Sequence, residues 1–251
     1  MGCRLDQIGA GSVINLPVVA IDGPAGSGKS TIARGVADRT HLRYIDTGAM
    51  YRAVALLALR RGVDVADEWA LAQIAALAIA LEQDDGGSRM LVDGEDITSA
   101  IRTPEVERSV PLVSRHASVR RALVARQRQI AVGGGVVMDG RDIGTVVLPD
   151  ADVKLFITAD RSVRAERRCR QMARHGVAVD CEQVLADLAE RDRLDSERAT
   201  GPLVPAEDCV IIDTTHLDVR EALSEVFAKC PALERFATAP LSPEGVDHRR
   251  R

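Results

Sequence analysis

Lysine is nearly missing from this chain of 251 residues: of its 33 basic side chains only Lys29, Lys154 and Lys229 are lysines. Arginine is the default cation, so a lysine inside a motif stands out from the background. Asparagine is rarer still, with Asn15 alone, and the Asn-Lys-x-Asp sequence that reads guanine in GTP-dependent switches is absent. No apolar run approaches the roughly 20 residues of a membrane-spanning helix, and the first residues lack the basic-then-apolar pattern of a secretion signal. A soluble, cytoplasmic protein without membrane contact is expected. The five cysteines, Cys3, Cys169, Cys181, Cys209 and Cys230, are odd in number and form neither a Cys-x-x-Cys pair nor a cluster with histidine, which fits a reduced compartment. His41, His116, His175, His216 and His248 have no metal-ligand spacing and no partnered serine or cysteine motif, and Gly-x-Ser-x-Gly does not occur, which excludes zinc-site and triad chemistry. A net charge of -4 gives no general polyanion-binding signature, so no nucleic acid partner is expected.

What is present is alternation. Short apolar runs at Val18–Ile21, Arg43–Ile45, Val136–Met138, Val153–Ile157 and Val210–Ile212 are separated by helical patterns that include Ala49–Arg61, Val119–Val132 and Asp180–Arg193. That pattern predicts an α/β fold, a parallel sheet flanked by helices on both faces. Met90 to Ile97 breaks the alternation as a small hairpin with Asp93-Gly94 at its turn, within an insertion carried on the core. Residues 1–15 and 237–251 read as tails, leaving a single domain over 16–236.

Four constellations carry chemistry. Gly23-Pro24-Ala25-Gly26-Ser27-Gly28-Lys29-Ser30, followed by Thr31, lies between a strand and a helix. Its backbone amides can cradle phosphate oxygens, Lys29 can reach the β- and γ-phosphates, and the Ser30 hydroxyl can ligate Mg²⁺, which points to a nucleoside triphosphate. Asp46-Thr47-Gly48-Ala49-Met50-Tyr51-Arg52 again follows a strand and opens a helix, suited to a second phosphate. In Asp139-Gly140-Arg141-Asp142-Ile143-Gly144-Thr145, Asp139 can orient Mg²⁺ through water, Arg141 can hold a phosphate bidentately and Asp142 can accept from a substrate amine. The arginine-rich stretch from Arg161 to Arg174, which contains Arg164, Arg167 and Arg168, together with Arg191, Arg193 and Arg198, can deliver cations to a phosphoryl-transfer transition state. About half of these arginines are expected to be structural or exposed, because a charged helical hairpin is usually a solvated face.

In order and spacing, GPAGSGKS, DTGAMYR, DGRDIGT and the later ERDRLDSER resemble the bacterial cytidylate kinases over roughly residues 16–227. The resemblance implies a P-loop nucleoside monophosphate kinase fold. Its parts would be a five-stranded parallel core, an inserted monophosphate-binding region near 74–116 and an arginine-bearing lid near 160–178. It implies transfer of the γ-phosphoryl group of ATP, with Mg²⁺, to CMP or dCMP by a monomer. Lys29, Arg141, Arg164 and Arg168 would be catalytic. Thr47, Arg52, Arg141 and Arg198 would hold the CMP phosphate, Tyr51, Arg191 and Asp195 would lie along its ribose, and Arg120 with Asp142 would read cytosine. Pro111 stands where the family places a serine against the base, with Ser109 and Ser114 as candidate substitutes, and Leu194 replaces an arginine of some relatives. The rival readings are a UMP or AMP kinase and a non-catalytic nucleotide switch.

Overall fold

A computed structural model describes residues 16–77, 79–84, 87–174 and 179–237. The chain opens with β1 (Val18–Asp22), α1 (Lys29–Thr40), β2 (Arg43–Asp46), α2 (Thr47–Arg61) and α3 (Glu68–Ala75). There follow β3 (Ile79–Asp84), β4 (Gly87–Val92), β5 (Glu95–Asp96), α4 (Pro104–Ser114) and α5 (Ala117–Ala131). The second half carries β6 (Val136–Gly140), β7 (Val153–Thr158), α6 (Arg161–Arg174), α7 (Cys181–Glu197), β8 (Val210–Asp213), α8 (Val219–Lys229) and α9 (Pro231–Glu234).

Strands β2, β6, β1, β7 and β8 form, in that order, a five-stranded sheet whose neighbouring pairs are all parallel. Val19, Ala20, Ile21, Val136, Val137 and Met138 are fully buried. Both faces of the inner strands are covered, which is why they read as continuous apolar runs instead of alternating ones. One face packs on α1 and α8 through Ile32, Val36, Leu223 and Val226; the other packs through Val124, Ile143 and Val147. Every crossover brings the chain back to the same carboxyl edge of the sheet, where the three motif loops meet.

The insertion is a three-stranded antiparallel sheet, β3-β4-β5, followed by α4. The expected turn is there, with Asp93 and Gly94 both at positive φ (49° and 85°), the conformation a two-residue type I′ hairpin requires. Its third strand, β3, was not expected. The insertion shares one core with α2 and α3, through Val54, Leu57, Leu71, Met90, Val106 and Val113. Pro111 sits inside α4 and removes one backbone donor from it.

Helices α6 and α7 pack through Ala165, Cys169, Val184 and Leu188, and a disulfide joins Cys169 to Cys181 with their Cα atoms 6.0 Å apart. A separation of 12 residues has no recognisable signature in the sequence, and only the helical hairpin brings the two together. The proposed tails, 1–15 and 237–251, lie outside the described residues except for Ala237, as do His175-Gly176. Among those described, no helix is long and apolar enough to cross a membrane.

Candidate active site

The loop between β1 and α1 turns on Gly26 and Gly28, which have φ of 76° and 88°, a conformation that costs a side-chain-bearing residue strain. A Cβ on Gly26 would press on the Arg164 backbone at 3.0 Å. Lys29 opens α1 and its ammonium donates to the Pro24 carbonyl at 3.4 Å, folding the side chain over its own loop. Removal from water, then the guanidinium groups of Arg141 and Arg191, pull its pKa down to about 7 against the opposing pull of Asp139. An ammonium so poorly compensated is well matched to phosphate.

Beside it, Ser30 Oγ donates to Asp139 Oδ2 at 2.5 Å and the Tyr44 hydroxyl donates to Oδ1 at 3.3 Å. Strand register sets Asp139 directly next to Asp46. Burial and the Asp46 charge hold Asp139 above the usual carboxylate range. Burial also opposes the charge on Asp46, but Arg52 at 2.6 Å and the Ala49 amide at 3.0 Å outweigh it and hold its pKa low. A serine hydroxyl backed by a strained carboxylate suits a hard divalent cation that keeps waters and phosphate oxygens as its other ligands. The described residues contain no group of three or more His, Cys, Asp or Glu able to cage a metal.

From this point an alternating series of charges crosses the cleft. Arg141 donates to the Gly23 carbonyl at 2.9 Å and to Asp195 at 2.7 Å. Arg198 reaches Asp195 at 4.0 Å and Asp142 at 3.3 Å, and Asp142 pairs with Arg120, which also donates to the Tyr51 hydroxyl at 3.2 Å. Arg120 is only 2% exposed and Asp142 5%. Burial raises the Asp142 pKa despite both arginines, whereas Arg141 and Arg191 overcome burial at Asp195 and keep it low. Arg191 Nε and Arg52 Nε are buried without partners. Donors left bare in a cationic cleft are costly unless an anion arrives.

These groups line a cleft of about 1040 Å³. Ala25 to Thr31, Thr47, Tyr51, Arg52, Arg120, Asp139, Arg141, Asp142, Arg168, Arg191, Asp195 and Arg198 all contribute to its wall. Gly23 and Pro24 lie behind it and supply carbonyls to Arg141 and Lys29. Arg164, expected to be catalytic, is not among the residues lining the cleft; its guanidinium donates to the carbonyls of Ala25 and Ala159 and to Asp192. Arg168 does line it, paired across to Glu107 of α4. Of the two serines near Pro111, Ser114 lines the cleft, while the half-buried Ser109 donates to the Glu105 carbonyl of its own helix.

Several wall residues escaped sequence reasoning. Thr214, His216 and Leu217, after β8, form the end away from Asp142. There Thr214 accepts from Arg167 at 2.9 Å and donates to the Ser27 carbonyl at 2.9 Å. Their position at a strand's carboxyl end was the available signal. Gly201 (φ 61°) lies against the Arg120–Asp142 pair so closely that a Cβ would collide with both.

A phosphate loop at a parallel sheet's edge, facing a second cationic pocket in one cleft, defines a P-loop nucleotide kinase. A family model described as cytidylate kinase matches residues 19–232. The cytidylate kinase of Pelotomaculum thermopropionicum is 51% identical over 223 residues, which cover 88% of this chain and 99% of that one. That of Geobacillus kaustophilus is 50% identical over 209 residues, 83% of this chain and 93% of that one. The chain belongs to the cytidylate kinase family.

Proposed function

We propose that the chain transfers the γ-phosphoryl group of ATP to CMP or dCMP, giving ADP and CDP or dCDP. The observation that carries this reading is the charge series from Arg120–Asp142 through Arg198 and Asp195 to Arg141, which links a buried hydrogen-bonding end to the phosphate loop. In this assignment the amides of Gly26 to Thr31 cradle the ATP phosphates, Lys29 bridges the β- and γ-groups, and the nucleoside lies between Arg167 and Thr214–Leu217. Thr47, Arg52, Arg141 and Arg198 take the CMP phosphate, with the unpartnered Arg191 Nε beside them. Tyr51 and Asp195 lie along the ribose. Asp142 accepts from the cytosine amino group, held in place by Arg120, with Ser114 on the α4 side.

Mg²⁺ would be held by Ser30 and, through water, by Asp139; when bound it neutralises charge between the phosphates. No general base is required, because a phosphate monoester has its second pKa at about 6 and is already largely dianionic at neutral pH. The protein's task is to hold two polyanions in line. Lys29 and the arginines offset their repulsion and stabilise the charge that spreads over the transferring group. In this reading the enzyme acts as a monomer.

A coupled ADP-release assay with Mg-ATP and a panel of CMP, dCMP, UMP and AMP tests the assignment. CMP and dCMP are expected to give the highest kcat/KM. Preference for UMP or AMP, or slow hydrolysis indifferent to any acceptor, would overturn it.

A further inference from the structure

Asp22 ends β1 directly before Gly23, and no step above uses it. Its side chain is buried, and its two hydrogen-bond partners are backbone amides: Oδ1 accepts from Ile143 and Oδ2 from Gly144, each at 2.8 Å. Those amides open the tight turn Ile143–Val147 that follows Asp142. The first amides of a helical turn find no partner within it. Later ones do: Val146 and Val147 return to the Asp142 carbonyl at 2.9 and 3.1 Å. Asp22 therefore caps this turn from the neighbouring strand.

It also acts on the other side. In the β1–β6 ladder Asp22 is in register with Gly140, so one residue fixes the backbone both before Arg141 and after Asp142. An apolar side chain would avoid the cost of burying a carboxylate, but would leave two buried amides unpaired. Burial raises the Asp22 pKa to about 6, the two amides oppose the rise, and the charged groups nearby are Asp142 and Arg141, with the Cys209 thiol also within electrostatic reach.

We infer that Asp22 is a positioning residue for acceptor recognition, pinning Arg141 and Asp142 at both ends and setting their distance from the phosphate loop that begins at the next residue. This rests on the reading of Asp142 as the contact to the base. Asp22→Asn keeps the shape, but its amide nitrogen points an N–H at one of the two backbone N–H groups. The KM for CMP should rise about tenfold and the CMP-over-UMP ratio of kcat/KM should fall several-fold, while the KM for ATP stays within about twofold.

Asp142→Ala is measured alongside. If it leaves the CMP-over-UMP ratio unchanged, the reading of the base contact fails. If it collapses the ratio while Asp22→Asn changes neither the ratio nor the KM for CMP, the positioning role is overturned. An equal fall in kcat for every acceptor with unchanged KM overturns it too. Should Asp22→Asn not fold, the wild-type protein is titrated by NMR from about pH 5.5 to about 8. The Ile143 and Gly144 amide protons should shift together with a midpoint near 6, and affinity for cytidine, which has no titrating phosphate, should weaken through the same midpoint as pH falls. A cytidine affinity flat across that range overturns the inference.

Discussion

Replacing Asp142 by alanine separates two consequences of one carboxylate. In the folded protein Asp142 lies between Arg120 and Arg198, the latter 3.3 Å away. At an effective dielectric of about 20, unit charges at that distance attract by roughly 5 kcal/mol before desolvation is counted. Most of that gain is offset by burial, which is why the Asp142 pKa is raised even between two cations. The variant keeps the burial cost of the guanidinium groups and loses their anion. Breaking a buried pair in this way costs roughly 3–5 kcal/mol, and at roughly 2–4 °C per kcal/mol for a chain of this size Tm should fall by about 6–20 °C. The catalytic effect is smaller and selective. Loss of one desolvated acceptor opposite the cytosine amino group costs roughly 1–3 kcal/mol, about 5- to 150-fold in kcat/KM for CMP. UMP presents a carbonyl there and has no such contact to lose. Calorimetry with kcat/KM for both nucleotides reads both effects. Equal losses for CMP and UMP, or an unchanged Tm, would refute the reasoning.

Lys29 is held near pKa 7 in the free protein, and bound phosphates raise it. At about pH 8, where Mg-ATP is itself fully ionised, binding should therefore take up close to one proton; titration calorimetry in buffers of different ionisation enthalpy measures it, and no uptake would refute this. Arg164→Ala, which leaves the Ala25 and Ala159 carbonyls and Asp192 without their donor, should cost roughly 3–5 kcal/mol of stability. Arg168→Ala should leave Tm nearly unchanged and lower kcat by about 100-fold or more; the reverse pattern in melting and kinetics would exchange their roles. Glu107 pairs with Arg168; in the proposed role of Arg168 that pair opposes phosphate binding, so Glu107→Gln should lower the KM for ATP about two- to fivefold, and an unchanged or higher KM would show that the pair does not hold Arg168 back.

The five core strands were legible because burial on both faces turns them into apolar runs. Their ends were not. Each strand continues past its last apolar residue, to Asp22, Asp46, Gly140, Thr158 and Asp213, and hydropathy falls silent there. Two of these terminal residues belong to the site itself: Asp46 holds Arg52, and Asp22 holds the turn after Asp142. Motif spacing located the side chains that line the cleft, since local loops bring them there. It could not separate Arg164 from Arg168, because both lie on one helix and only long-range partners, Ala25 for one and Glu107 for the other, distinguish their surroundings. The same holds for Gly201, Thr214 and the Cys169–Cys181 pair, whose significance comes entirely from residues distant in the chain.

The sheet order has a consequence for the newborn chain. Strand β1, which carries the phosphate loop, is flanked only by β6 and β7, and its first partner begins at Val136. At about 5–20 residues per second, the ribosome needs roughly 6–24 s after making Val18 before that partner exists. Until then Val19, Ala20 and Ile21, wholly buried in the finished protein, have no neighbour in the sheet. The antiparallel insertion and α2 are complete well before β6, so they can form while β1 waits. The phosphate loop consequently has no paired strand to stand on before β6 emerges, and a chain stalled ahead of Val136 exposes an apolar strand that parallel pairing, slow by its long loop closure, has yet to protect.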